Sequence, residues 1–138
     1  MRYLLDCNIL SEPTKAQPSD VLMRRLELDG IHACTSATVW HELWHGIYLL
    51  PAGRRKQELD DYMHMLQEDG LEILPFCQDA AQWLAEERAR LIRIGKTPSK
   101  YDSEIAAVAA VHQLTVVTRN ESDFADFSAI KVENWFRN

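Results

Sequence analysis

The chain has 138 residues, 46% of them hydrophobic, which is the size and apolar content of one domain with a buried core. A net charge of −6 speaks against a protein whose whole surface binds nucleic acid, although an acidic site that collects cations can still contact phosphate through a metal ion. No apolar run is long enough to span a membrane, and the one at the start is too short for a secretory signal. Three cysteines, an odd number at spacings that fit no zinc template, indicate reduced thiols in a cytoplasmic protein.

Short apolar segments alternate with amphipathic segments along the whole chain. The alternation predicts, in chain order, strand 2–7, helix 20–28, strand 31–35, helix 36–50, helix 54–69, strand 71–75, helix 79–94, helix 99–113, strand 114–118, a loop with one helical turn at 120–127, and strand 130–133. Strands that alternate with helices form parallel βαβ units. We therefore expect a single α/β domain over residues 1–138, with three α/β/α layers around a central, mainly parallel sheet of four to five short strands.

Four acidic residues fall where such a sheet would gather them. Asp6 ends the first strand, Asp123 follows the fourth, Asp102 lies in the first turn of the helix that precedes the fourth, and Glu42 lies about two turns into the helix after the second. Ligands of open α/β sheets bind beyond the carboxyl ends of the strands. Clustered carboxylates repel each other unless a cation neutralises them, and oxygen ligands suit Mg²⁺ or Mn²⁺ rather than zinc.

Each acid also has a purely structural interpretation. Asp6 could be a turn residue and Glu42 an exposed helix residue. Asp102 fits a capping box with Ser99, and Asp123 could cap a short helical turn. The set is more informative than any member, because the acids recur at strand ends.

Five segments together resemble one known family. They are Tyr3-Leu-Leu-Asp6-Cys-Asn8, Glu42-Leu-Trp-His-Gly46-Ile47, Asp102-Ser-Glu-Ile-Ala-Ala-Val-Ala109, Thr118-Arg-Asn120-Glu-Ser-Asp123-Phe124 and Val132-Glu-Asn-Trp135. In order and spacing the chain closely resembles the PIN-domain nucleases from end to end, and within them the VapC-type toxins of bacterial toxin–antitoxin pairs.

The resemblance implies a metal-dependent endoribonuclease, a toxin that a cognate VapB-type antitoxin holds inactive. It assigns Asp6, Glu42, Asp102 and Asp123 to catalysis and to binding Mg²⁺ or Mn²⁺, with water as the nucleophile and products that carry 5′-phosphate and 3′-hydroxyl groups. It assigns hydrogen-bonding support of these acids to Asn8, Thr118 and Asn120. It also implies a homodimer, and possible higher assemblies, in which the antitoxin tail brings a basic side chain to the acids.

Basic residues lead towards the predicted site. The candidates for RNA contact are Arg88, Arg90, Arg93, Lys96 and Lys100, and a second cluster is Arg54-Arg55-Lys56. Charge runs of this kind are usually solvated helix faces, so RNA contact is a hypothesis beside that interpretation.

One competing motif lies in the third segment of the chain. His41-Glu42-Leu-Trp-His45 matches the H-E-x-x-H signature of zinc peptidases, which puts two imidazoles on one helix face. No third histidine follows it, so Glu58 or Glu68 would have to supply the third ligand. This alternative leaves the other acids unexplained.

Two further alternatives share the fold. A phosphohydrolase with a strand-end nucleophile would usually need a second aspartate where this chain has Asn8. A non-catalytic interaction module would not need the full set of acids. The four-residue spacing of Trp40, Trp44 and Tyr48 favours core packing over a dimer or antitoxin surface.

Overall fold

A five-stranded, wholly parallel sheet forms the centre of the computed structural model, which describes residues 1–137. The strands are β1 (Tyr3–Leu5), β2 (Ala33–Ser36), β3 (Glu72–Leu74), β4 (Thr115–Val117) and β5 (Lys131–Glu133). The helices are α1 (Cys7–Ser11), α2 (Asp20–Asp29), α3 (Ala37–Tyr48), α4 (Arg54–Glu68), α5 (Gln78–Arg93) and α6 (Lys100–Val111). The predicted α/β class and mainly parallel sheet are confirmed.

The strand order is β3-β2-β1-β4-β5, so the direction of winding reverses between β1 and β4. Right-handed crossovers in the two directions place their helices on opposite faces of the sheet. A crevice opens at such a reversal, beyond the carboxyl ends of the two strands. The predicted site segments after β1 and β4 therefore meet at one place.

The core lies between the central strands and helix α6. Leu4, Val116 and Val117 are fully buried, as strands covered on both faces require. In α6 the continuous run from Ile105 to Ala109 is also fully buried. Small alanine side chains let this helix approach the sheet closely, which fixes the position of its first turn and hence of Asp102.

The predicted ends of several strands and helices are wrong by one or two residues. The first strand stops at Leu5 rather than Cys7, because the Asp6 side chain accepts a hydrogen bond from the Cys7 amide and starts α1. The second strand begins at Ala33, since a 3-10 turn (Gly30–His32) occupies its expected start. Helix α5 begins at Gln78, after a cap at Cys77, one residue before its predicted start at residue 79.

The sequence pattern also misplaces some side chains. The apolar Leu28, at the end of the predicted helix 20–28, is 71% exposed. Helix α3 ends at Tyr48 rather than near Leu50. The loop after β4 contains the expected helical turn, a 3-10 turn at Glu121–Phe124. Within residues 1–137, none of the helices combines the length and the hydropathy that a membrane crossing needs.

Candidate active site

Asp6 lies at the centre of the crevice and is held on both carboxylate oxygens. Its Oδ1 accepts a hydrogen bond of 2.8 Å from the Cys7 amide, and its Oδ2 accepts one of 2.8 Å from the Thr118 hydroxyl. Its own amide donates to the carbonyl of Val117. Asp6 is buried, with 7% of its surface exposed. The position after β1 and the pairing with β4 thus fix both the backbone and the carboxylate.

Thr118 links Asp6 to two other polar positions. Its Oγ1 accepts hydrogen bonds from Asn8 Nδ2 at 3.3 Å and from the Asn120 amide at 3.1 Å. Asn8 Oδ1 in turn accepts from the Arg119 amide at 3.0 Å. The three residues predicted to support the acids therefore share one hydrogen-bond network, in which Thr118 alone bonds to the Asp6 carboxylate and Asn120 takes part through its backbone.

The other three acids come from separate elements that face the same crevice. Asp102 is half-buried in the first turn of α6, where its amide donates to the Ser99 cap at 3.1 Å. Glu42 is half-buried on α3, and Asp123 is exposed on the 3-10 turn after β4. The capping interaction predicted for Ser99 is present, and it orients the start of α6 towards Asp6.

Burial and mutual repulsion raise the pKa of three of these carboxyl groups. For Asp6, burial raises the pKa, the hydrogen bonds from Thr118 and Cys7 lower it, and the charge of Asp123 raises it. For Asp102, burial raises the pKa, Ser99 lowers it, and Asp123 and Asp6 raise it. For Glu42, burial raises the pKa, as do Asp6 and Asp102, while the Cys7 thiol lowers it. The acids therefore interact as one electrostatic cluster.

The chemistry of this donor set fits a hard divalent cation. All four side chains offer carboxylate oxygens, the ligands that Mg²⁺ and Mn²⁺ prefer. Over residues 1–137, however, no three His, Cys, Asp or Glu side chains already stand as a group that could hold an ion. The carboxylates would have to rotate towards a shared cation, and the roles assigned to individual acids stay predictions.

Cys7 is a neighbour of the acids that the sequence patterns gave no role. Its thiol is half-buried and contacts the carbonyl of Val39 at 3.7 Å. Burial and the charges of Glu42 and Asp6 strongly raise the pKa of this thiol. Because only the thiolate is nucleophilic, these surroundings disfavour the reactive form of Cys7. The position of Cys7 in the chain, between Asp6 and Asn8, is the sequence feature that indicates that it lies near the acids.

The predicted RNA-contacting residues lie on two sides of α5. Arg88 and Lys100 line a groove of about 500 Å³ between α5 and α6, together with Ser103, which follows Asp102. Lys96 lines a smaller cleft beside Arg88. Arg90 instead pairs with Glu87 and donates to the Asp126 carbonyl, and Arg93 lines that same far side. In the second cluster, Arg54 pairs with Glu58 and Arg55 donates to the Thr14 carbonyl.

The peptidase alternative gains no support from α3. His41 and His45 are exposed, whereas Glu42 interacts with Asp6 and Asp102. Glu58, one of the proposed third ligands, pairs with Arg54 at 3.0 Å. Across the described part of the chain no triad of metal-ligating side chains includes the two histidines.

Core packing is the wrong interpretation for the aromatic residues of α3. Tyr48 is 67% exposed, and Trp40 and Trp44 are only partly buried. Trp44 packs edge-on against Trp40 and stacks on Tyr48, with ring centroids 6.4 and 5.4 Å apart. An exposed aromatic stripe of this kind is typical of protein interfaces.

The chain is similar to known proteins in both sequence and structure. The profile of the PIN domain family matches residues 3–130. Toxin FitB of Neisseria gonorrhoeae is 34% identical over 126 residues, which cover 88% of this chain and 89% of the relative. The VapC ribonuclease Y4jK of Sinorhizobium fredii is 32% identical over 124 residues, 88% and 89% of the two chains. The crystal structure of VapBC2 from Rickettsia felis bound to a fragment of promoter DNA superposes with a TM-score of 0.84, at 26% identity and over 98% and 99% of the two chains.

Proposed function

The chain belongs to the PIN domain family, and we propose that it is a metal-dependent endoribonuclease, the toxin of a toxin–antitoxin pair that a cognate antitoxin holds inactive. The observation that carries the proposal is the buried carboxylate of Asp6 at the β1–β4 reversal, with three further acids in its electrostatic field. Relatives that match most of the chain are named as a ribonuclease and as a toxin, which supports the same activity.

Asp6, Glu42, Asp102 and Asp123 would hold Mg²⁺ or Mn²⁺ in this proposal. The bound cation would polarise a phosphoryl oxygen and make hydroxide available near neutral pH. The chain keeps Asp6 pointed into the crevice through its two hydrogen bonds and keeps Asp102 in the first turn of α6. These bonds fix the position of Asp6 and of the first turn of α6, and the other carboxylates would turn towards the ion.

Thr118, Asn8 and Asn120 act as positioning residues. The Thr118 hydroxyl donates to Asp6 and cannot rotate freely, because it also accepts from the Asn120 amide. Asn8 ties the start of α1 to the segment after β4 through Arg119. The two strand ends that carry Asp6 and Asp123 are thereby held together.

RNA would approach the acids along the groove between α5 and α6. Arg88 and Lys100 line this groove beside the first turn of α6. Their cationic groups would bind backbone phosphates next to the one that is cleaved. Arg90 contributes less, because Glu87 already pairs with it.

The antitoxin would cover an apolar groove on the opposite side of the site. Leu10, Leu26 and Leu66 line a cavity of about 610 Å³ between α1, α2 and α4. A second cavity of about 310 Å³ next to it reaches Glu42, so a bound tail could carry a basic side chain to the acids. The solved relative is a toxin–antitoxin complex, which supports this partner. A homodimer through the exposed aromatic stripe of α3 and a cytoplasmic location belong to the same proposal.

RNA cleavage with and without EDTA tests the activity. We expect the wild-type chain to cut single-stranded RNA with Mg²⁺ or Mn²⁺ and to stop when EDTA is added. Asp6→Asn and Asp102→Asn should each abolish cleavage, because both remove a negative donor from the cluster. Asp61→Asn is the matched control, since Asp61 is exposed on α4 and bonds only to Gln57.

Product analysis tests the reaction type. Hydrolysis by water leaves 5′-phosphate and 3′-hydroxyl ends. A 2′,3′-cyclic phosphate would refute the proposal, because that product requires the ribose hydroxyl as nucleophile. Cleavage that persists in Asp6→Asn would refute the assignment of the site.

A further inference from the structure

Helix α3 presents two histidines that the proposed nuclease does not use. His41 and His45 are one helical turn apart, and both are exposed. Their imidazole rings lie nearly parallel, at an interplanar angle of 16° with centroids 6.0 Å apart. Two imidazoles four residues apart on one helix face can chelate a single transition-metal ion.

A neighbouring aromatic ring restricts one of the two imidazoles. Tyr101, which precedes Asp102, meets the His41 ring edge-on at 5.6 Å. The His45 ring stacks on the other side of His41. The His41 ring is therefore partly ordered before any ion binds, which reduces the entropy cost of chelation.

The pair is chemically separate from the acidic cluster. Glu42 lies between the two histidines in the chain, yet its carboxylate interacts with Asp6, Asp102 and the Cys7 thiol. No third His, Cys, Asp or Glu completes a group with the pair among residues 1–137. Imidazole nitrogens suit Zn²⁺, Ni²⁺ and Cu²⁺, whereas the oxygen donors of the crevice suit Mg²⁺ and Mn²⁺.

We propose that His41 and His45 form a second metal site, a surface chelate for a borderline transition-metal ion such as Ni²⁺, Zn²⁺ or Cu²⁺. The two imidazoles supply two ligands, and water completes the coordination shell. The H-E-x-x-H motif then binds metal through its histidines alone, while its glutamate belongs to the acidic cluster.

Calorimetric titration of the untagged chain with NiCl₂, in the presence of excess MgCl₂, tests this site. We expect one Ni²⁺ per chain. Excess Mg²⁺ competes with Ni²⁺ for the carboxylates of the crevice, but it does not compete for imidazole. His41→Ala and His45→Ala should each weaken binding about tenfold or more, since even changes in the surroundings of a ligand cost about that much. His32→Ala is the matched control, because this exposed histidine lies in the 3-10 turn before β2 rather than on α3.

Two further measurements separate this site from the crevice. Asp6→Asn should keep Ni²⁺ binding while RNA cleavage is lost. Cu²⁺ should quench part of the tryptophan fluorescence of the wild-type chain, because Trp40 and Trp44 adjoin the pair, and should quench less in His45→Ala. The proposal is overturned if Mg²⁺ displaces Ni²⁺, if Asp6→Asn abolishes Ni²⁺ binding, or if His32→Ala weakens it as much as His41→Ala does.

Discussion

Thr118→Val tests how much the orientation of the Asp6 carboxylate contributes, because the carboxylate itself stays in place. Valine has nearly the shape of threonine, so the substitution leaves the packing of the strand end intact and removes only the hydroxyl. That hydroxyl donates to Asp6 Oδ2 at 2.8 Å and accepts from the Asn120 amide at 3.1 Å. Thr118 is fully buried, and no water can replace the lost donor without a rearrangement.

The size of the effect follows from the type of bond. A hydrogen bond to a charged group contributes about 1.5–3 kcal/mol, and each pKa unit corresponds to about 1.4 kcal/mol. Because this bond lowers the pKa of Asp6, its loss raises that pKa further, and a cation must then displace a more tightly held proton. We expect the half-saturating Mg²⁺ concentration to rise about 10- to 100-fold, as for other residues that orient ligands.

The assay is RNA cleavage as a function of Mg²⁺ concentration at constant pH. Cleavage at saturating Mg²⁺ should largely recover, because all four acids remain. Thr115→Val is the matched control, since Thr115 begins the strand that Thr118 follows and pairs with Tyr3 at the end of β4 away from Thr118. A half-saturating concentration within about twofold of the wild-type value would contradict the role of Thr118.

Three other predictions, made with four substitutions, concern the structure around the site. Glu87 is buried, and the hydrogen bonds from Ser128 and Arg90 hold its pKa below the ordinary 4.5. Its charged form therefore stabilises the fold fully above pH 4.5, and this contribution is lost as the pH falls through the lower pKa of the folded state. Glu87→Gln should therefore cost about 2 kcal/mol of unfolding free energy at pH 7 and much less in acid, which urea denaturation at both pH values measures. Ser99→Ala and Ser19→Ala each remove a helix cap and should cost about 1 kcal/mol, but only Ser99→Ala should weaken Mg²⁺-dependent cleavage; equal effects on cleavage would contradict the placement of α6. Trp135→Ala should lower stability by about 3–5 kcal/mol in thermal unfolding, because this 1%-exposed ring packs edge-on against Tyr3, and a loss below about 1 kcal/mol would show that the ring is not part of the core.

Features that depend on near neighbours in the chain could be predicted. The side-chain cap at Ser99 is present as expected, and Ser19 and Ser36 cap their helices in the same way, because a cap needs only a hydroxyl and an amide three residues on. The parallel order of strands and helices follows from the alternation of apolar segments in the same way. The placement of acids after β1 and β4 could also be predicted from the strand pattern.

Features that depend on tertiary packing as well as on local sequence could not be predicted. The end of β1 was placed two residues late, since Cys7 is apolar enough for a strand but Asp6 starts a helix there. Tyr48 follows a helical spacing typical of core residues, yet no element of the described chain covers it. The arginines of α5 form one run in the chain, but the helix turns Arg88 towards the groove and Arg90 towards Glu87.

By itself the sequence determined which elements form, which residues cap them and which acids follow the strands, because these depend on periodicity and on contacts within a few residues. Only the tertiary structure decided which groups share one electrostatic environment. Thr118 and Asp6 are 112 residues apart in the chain, and their hydrogen bond exists because β1 and β4 are neighbours in the sheet. The same packing directs Glu42 into the acidic cluster and leaves His41 and His45 exposed, so one motif in the sequence serves two separate surfaces in the fold.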